Sequence, residues 1–296
     1  MIKKILISTA AVLAAMTIHA QSVSFINLSD NARRMAMGGA DAAYSVSKVL
    51  DDSYAHGTAD ASYMMWQPQA LGNNIFMLDG FYRFGKFGIS AGGRYNMYKP
   101  LAAMSDQGNP GASFTPSEFM AFVGFHYGIL ENLAVMANVK FISSTLMAKY
   151  SGSAVAADLG VAYDVSGVKI ALSARNLGSR LTYAKNVQNN LPMTVLLGGE
   201  KAFAIGSHTL DVALDAGYMP LHSCFVARAG AEFSIMNIMD IRAGYHFGSN
   251  SKVEPGYASV GVGANINAVR LGATYFIAGG SSPLRNTLAF SLGARF

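Results

Sequence analysis

Residues 269–277 place Val269, Leu271, Ala273, Tyr275 and Ile277 on one face of an extended strand and Arg270, Gly272, Thr274 and Phe276 on the other. Residues 239–247 repeat the pattern, with Asp240, Arg242 and His246 opposite Ile241, Ala243 and Tyr245. The same separation puts Asn138 and Lys140, Asp158 and Asp164, Lys169 and Arg175, Asp211 and Asp215, and Arg228 and Glu232 on the inward phase of their segments. Lys201, at a segment end beside a turn, is the exception. A lysine or arginine facing lipid at mid-bilayer costs about 2–4 kcal/mol, which accounts for the segregation, and a tilted strand of about ten residues spans the bilayer. A soluble two-sheet sandwich also alternates, but its exposed faces carry far more charge than the Gly, Ala and Ser found here.

Composition agrees. The chain is 51% hydrophobic and 13% charged, against about 25% charged in an ordinary soluble domain. After the N-terminus no stretch approaches the roughly 20 apolar residues of a membrane helix. Thirty-one glycines argue against long helices. Residues 1–20 set Lys3 and Lys4 before an apolar run that ends on Ala20, the pattern of a cleaved secretory signal. Without those lysines the excess is about three positive charges over the 17 acids, too small for a nucleic-acid binder. The single Cys224 excludes an intramolecular disulfide and a multi-cysteine metal site.

Short links at 85–86, 129–132, 166–167, 205–208, 236–238 and 267–268 alternate with longer ones at 98–117, 144–153, 179–191, 249–255 and 278–285; the link at 219–223 is short on the long side. In bacterial barrels short turns are periplasmic and longer loops extracellular. Thirteen strands can be counted from Asn74, and bacterial single-chain barrels have even numbers, so one strand is missing between Met35 and Trp66. The expected fold is all-β: an antiparallel transmembrane β-barrel of about 14 strands with an N-terminal plug segment. Its divisions are 1–20, a signal peptide; 21–73, plug or first strand; and 74–296, the barrel. The last strand runs apolar to Phe296 itself, the usual ending of outer-membrane barrels, which their assembly machinery reads.

N-A-R-R-M-A-M-G-G-A at 31–40 and D-A-S-Y-M-M-W-Q-P-Q-A-L at 60–71 together resemble the N-terminal signature of the PorV/PorQ family, FadL-like outer-membrane barrels of Bacteroidetes. The resemblance continues through V-K-F-I-S-S at 139–144, D-L-G-V-A-Y at 158–163, A-R-N-L-G at 174–178, Leu191-Pro192 and the terminal F-S-L-G-A-R-F, and covers most of the chain after residue 20. Its motif positions are Gly38, Gly39, Pro68, Asn176, Gly178, Pro192 and Phe296. Gln67 and Gln69 flank Pro68 where the family usually carries Asn before and Ala-Gly after, and the strand that normally follows is expected to be short or absent. The resemblance implies a non-enzymatic Gram-negative outer-membrane barrel acting in or beside type IX protein secretion and surface attachment. Its implied partners are outer-membrane lipid, the barrel assembly machinery, and type IX components or cargo. The alternative is a FadL-like channel that takes up a hydrophobic small molecule; inward Phe122 and Phe276 are compatible with it.

No serine has a nucleophile-elbow context, His126 and His246 lack partners at informative spacing, and no cofactor is implied. Gly38-Gly39 lacks the Lys-Ser/Thr of a phosphate loop, and Asp51-Asp52 reads more simply as solvated loop charge than as a calcium site. The inward charges Asp211, Asp215, Arg228, Glu232, Asp240 and Arg242 alternate in sign over three neighbouring strands. They form either a polar permeation path or an ion-pair network tying plug to wall.

Overall fold

The computed structural model describes residues 24–29, 31–50, 56–66, 73–104, 110–147, 150–184, 187–280, 282 and 284–296. The segments expected as signal peptide and carrying Pro68 and Asp51-Asp52 lie outside them. Two short helices come first, α1 (Ala32–Ala36) and α2 (Ala42–Ser47). Fourteen strands follow: β1 (Gly57–Trp66), β2 (Asn73–Phe84), β3 (Phe87–Met97), β4 (Ser117–Leu130), β5 (Leu133–Met147), β6 (Tyr150–Val165) and β7 (Val168–Gly178), then β8 (Thr194–Ile205), β9 (His208–Met219), β10 (Cys224–Ile235), β11 (Met239–Gly248), β12 (Tyr257–Ile266), β13 (Val269–Ile277) and β14 (Leu288–Arg295). Each pairs antiparallel with its neighbours, and β1 pairs with both β2 and β14, so the sheet closes into a barrel without a free edge.

Alternation fixes which face is which. Leu78, Phe125 and Val262 are 66%, 59% and 58% exposed, whereas Arg242, Asp158 and His246 in the opposite phase are 6%, 4% and 3% exposed. An exterior of bare leucine, phenylalanine and valine around a charged interior is stable only with hydrocarbon outside. Among the described residues no helix is long and apolar enough to cross a membrane.

The missing strand is β1, whose Asp60–Trp66 half is the start of the motif at 60–71; a full β2 of 12 residues follows, so the expected shortening does not occur. The short turns share one end. At the other, the segment from 98 to 116 carries a small hairpin (Leu101–Met104 with Pro110–Phe114) and that from 179 to 193 another (Leu181–Ala184 with Val187–Asn189). Strands β5 and β6 continue as a paired extension to Met147 and Tyr150, where the sequence had suggested loop.

Closure is held at both ends of the chain. The Phe296 carbonyl accepts the amides of His56 (3.1 Å) and Gly57 (2.7 Å), and its ring lies 6.4 Å from that of Tyr82. Asp60 on β1 reaches across Gly293 of β14 to Arg270 on β13 with bonds of 3.0 and 2.9 Å. A Cβ at Gly293 would stand 2.2 Å from Asp60 Oδ1, so the bridge needs a glycine beneath it. Asp60→Asn should lower stability by about 2 kcal/mol, the loss of a charge-assisted pair. Denaturant unfolding in detergent micelles measures it; an unchanged midpoint would show that the pair does not fasten the seam.

Candidate functional site

Residues 24–29 and 31–50 lie inside the ring, and most of the side chains described there are buried and none is exposed. α1 contacts β11 to β14, and α2 contacts β5 to β8. Neither helix is long enough to be stable alone, so tertiary contacts hold both. Asn31 caps α1, its Oδ1 accepting the Arg34 amide at 3.0 Å, and the Ala32 carbonyl accepts a bond from Thr274 Oγ1 (2.8 Å). The chain leaves α1 through Gly38 and Gly39 at φ of 67° and 77°, a left-handed exit that favours glycine. There Gly38 N donates to Ser259 Oγ (3.1 Å), and Ser259 donates to the Ala36 carbonyl (2.9 Å). At α2 the amides of Asp41 and Ala42 both donate to Asp215 Oδ2 (2.9 and 3.1 Å), so a wall carboxylate supplies the cap.

Small wall residues make this seat. A Cβ on Gly244 would stand 2.0 Å from Gly38 N, on Gly230 2.3 Å from Met37 O, and on Gly198 2.6 Å from Ala42 Cβ. Those distances are far inside contact, so at these points of β11, β10 and β8 the segment rests against the wall where a side chain would otherwise be.

Charges fasten what the glycines receive. Arg33 binds Glu232 bidentately (2.7 and 2.6 Å) and reaches Asp211 (3.2 Å). Arg34 stacks over Tyr44 at 4.0 Å and binds Glu200 at 2.7 Å. Asp41 lies 2.8 Å from Arg175 and 3.6 Å from Arg228, and Lys48 is 3.4 Å from Asp79. Of the six luminal charges expected from sequence, Asp211, Glu232, Asp240 and Arg242 come together in one network, while Asp215 and Arg228 lie apart, with Asp41. Asp211 and Glu232 stand directly opposite each other, a like-charge pair that Arg33 bridges, and Asp215, opposite Arg228, is spent on α2. Arg242 bonds both Glu232 and Asp240. The sequence reading assigned no role to Arg33, Arg34, Asp41 or Glu200; the available signal was the Arg-Arg pair just after a capping asparagine.

The motif A-R-N-L-G and the later Leu-Pro belong to one node. Residues 175–176 form a bulge against β6, with Asn176 at φ 57°. Asn176 Nδ2 donates to the Pro192 carbonyl (3.1 Å) and to Asn27 Oδ1 (2.9 Å), its amide donates to Asp158 Oδ1 (2.8 Å), and its Oδ1 accepts from Lys140 (2.9 Å). A Cβ at Gly178 would lie 2.2 Å from the Val155 carbonyl, so the strand pair at the bulge leaves no room for a side chain.

The segment divides the lumen into two sides, and the long-loop side holds an apolar cluster beside buried polar groups, among them Arg94, Asn96, Glu118 and the Asn176 node. Toward the long loops Phe25 and Ile26 are buried in a cluster with Met64, Trp66, Met120, Phe122 and Phe276. The rings of His246, Tyr257 and Phe276 stack on three adjacent strands, with centroids 4.9 and 4.5 Å apart. Leu181, Tyr183 and Leu284 from the long connections join the same cluster. Toward the short turns lies a polar chamber of about 460 Å³, roofed by Arg33, Arg34 and Lys48. Ser90 Oγ and His126 Nε2 are 3.1 Å apart, but both are buried, 2% and 3% exposed, so substrate has no access to that pair. Among the described residues no group of three His, Cys, Asp or Glu side chains could hold a metal.

Glu254, in the loop between β11 and β12, folds inward to 3.2 Å from His246 Nε2. Burial opposes its charge, but His246, Arg228 and Asn27 together outweigh burial and hold the carboxyl below its ordinary value. A lowered folded value contributes stability that is complete above the unfolded value of about 4.3 and is lost as pH falls through the folded one. Acid should therefore loosen the loop, and Glu254→Gln should loosen it at neutral pH. A spin label at Lys252 reads this; equal mobility in both proteins at neutral pH would dismiss the contact as a latch.

Closed antiparallel strands, an apolar exterior and a charged, filled interior define a transmembrane β-barrel of the outer-membrane class. Among solved structures, the toluene transporter TodX of Pseudomonas putida shares this fold with a TM-score of 0.60 at 12% identity, covering 90% of this chain and 99% of that one. A TodX deltaS2S3 mutant, a monoaromatic hydrocarbon channel, gives 0.54 at 11% identity over 81% and 89%. At such identities the likeness is one of fold alone. No protein-family model matches the chain, and no curated protein matches it in sequence.

Proposed function

We propose that this chain is a non-enzymatic outer-membrane barrel, exported by its N-terminal signal, that takes up an apolar small molecule through a lumen plugged by its own residues 24–50. The observation that carries the reading is the apolar cluster on the long-loop side of the lumen, where Phe25 and Ile26 pack among methionine and aromatic side chains. Such a lining suits a hydrophobic ligand, methionine in particular adapting to ligand shape. The fold shared with a toluene transporter adds to it. Short turns then face the periplasm and long loops the exterior. The test is retention: barrel purified in mild detergent, incubated with toluene or a long-chain fatty acid and washed, should carry ligand by mass spectrometry, with less in Phe122→Asp. Empty protein throughout would sink uptake.

A second reading, the PorV/PorQ type implied by the sequence, is favoured by the fastening of the segment. Arg33, Arg34, Asp41 and Lys48 each hold a wall charge, as suits a barrel that stays shut and works through its outer surface, in or beside type IX secretion. Gene deletion followed by surface proteomics discriminates. Loss of surface proteins bearing type IX sorting domains supports this second reading, and an unchanged surface removes it.

A further inference from the structure

We propose that the outer wall of the barrel carries a site for one anionic glycerophospholipid, with the lipid phosphate on Lys201 and an acyl chain in the groove beside it. The site is outside the lumen and does not depend on what the lumen takes up. Two observations on the same face carry it.

The first is a charge on the face that otherwise has none. Among the described residues, Lys201 is the one Asp, Glu, Lys or Arg side chain in the outward phase of the fourteen strands. It has no hydrogen-bond or ion-pair partner among them, and its Nζ lies over the ring of Phe203, 5.3 Å from the centroid. Phe203 is the next outward residue toward the turn at 206–207, so the side chain bends to the short-turn rim, as a lysine does to reach the headgroup layer. Lys201 stands opposite Val168, the first residue after the turn at 166–167, which sets its backbone close to that rim. The neighbouring carboxylates of Glu200 and Asp211 face inward, on Arg34 and Arg33, so the wall supplies this cation with no counter-ion. At headgroup level the membrane supplies one, the lipid phosphate.

The second is a groove that begins at the next outward residue, Gly199. It holds about 450 Å³ and is apolar, and its small outward residues are Gly199, Ala216, Ala227 and Ala229 on three adjacent strands. It runs from Ile170, just above the turn at 166–167, to Tyr245, near the far end of β11 at Gly248. Five strands about 4.8 Å apart make that about 19 Å on a slant, the reach of an acyl chain through one leaflet of a roughly 30 Å hydrocarbon core. An apolar face of another protein could fill the groove but would leave the lysine unanswered. A phospholipid answers both, with an anion at the rim and a chain rising from it.

The experiment titrates the full barrel in uncharged detergent with phosphatidylglycerol, and in parallel with the diacylglycerol of the same chains, by native mass spectrometry. One saturable phosphatidylglycerol site is expected, weakened about tenfold in Lys201→Gln, the loss of one charge-assisted contact, with diacylglycerol binding unchanged. Lys201→Gln removes a charge from the hydrocarbon face and so does not hinder insertion. Ala229→Phe, which fills the groove, should weaken both lipids, and Lys252→Gln, which removes the same charge from the long-loop side, should bind as wild type does. Graded binding without saturation, wild-type affinity in Lys201→Gln or Ala229→Phe, or equal weakening by Lys252→Gln would each overturn the proposal. So would dimers that Ala229→Phe dissolves while lipid binding stays unchanged, since a second copy would then occupy the groove.

Discussion

Gly244→Val should dislodge the luminal segment while leaving the wall intact. The new side chain would begin 2.0 Å from Gly38 N and 2.1 Å from the Met37 carbonyl carbon, both backbone atoms that no rotamer change can move aside. Overpacking of a filled interior costs about 1–3 kcal/mol where neighbours can shift, and more where they cannot. The lateral pairing of β10 and β12 with β11 does not involve that side chain, so the strands stay paired. The expected result is a barrel that still resists SDS at room temperature but whose 31–50 region is cut by protease, with ion conductance in planar bilayers well above wild type. Protection equal to wild type would show that the segment is not seated on β11 as described.

Arg33→Ala should have the next largest effect. Asp211 and Glu232 are opposite neighbours on β9 and β10, and Arg33 is the group that makes their proximity tolerable. Removing one partner of a buried ion pair costs about 3–5 kcal/mol; Arg33 is partly exposed and Arg242 still serves Glu232, so about 3 kcal/mol is expected. Asp211→Asn in the Arg33→Ala background should restore a good part of it, because the repulsion is then gone. Denaturant midpoints of the two single variants and the double variant measure the coupling; strict additivity would mean that Arg33 does not bridge the pair.

The wall was legible in the sequence because its signal is local. A period of two with charge confined to one phase can be read within each segment, and the even strand number then demanded β1 before Asn74. The lumen was legible only in part. That Asp211, Arg228, Glu232 and Arg242 point inward follows from phase, but which charge meets which depends on register across strands and on a segment some 170 to 200 residues away. Hence Asp211 and Glu232, read as members of a sign-alternating set, are a like-charge pair requiring a third group. The glycines were read as a compositional trait; that Gly198, Gly230 and Gly244 form one seat is a property of the closed ring alone. Asn176 and Pro192 were noticed together, and the bond between them gives the physical reason.

The bridge from Asp60 to Arg270 over Gly293 bears on the order of assembly. It joins the first strand to the last two, the contacts of greatest sequence separation in the wall, and such contacts carry the largest loop-closure entropy and form late. Residues 24–50 lie ahead of β1 in the chain, yet grip strands around the ring, from Lys48 on Asp79 of β2 to Ala32 on Thr274 of β13. A ring that shut first would force four charged side chains through a lumen already lined with their counter-ions. A sheet that curls around the segment pairs each charge as its strand arrives, so the segment acts as the former on which the cylinder is wound, and the bridge is the stitch that finishes it.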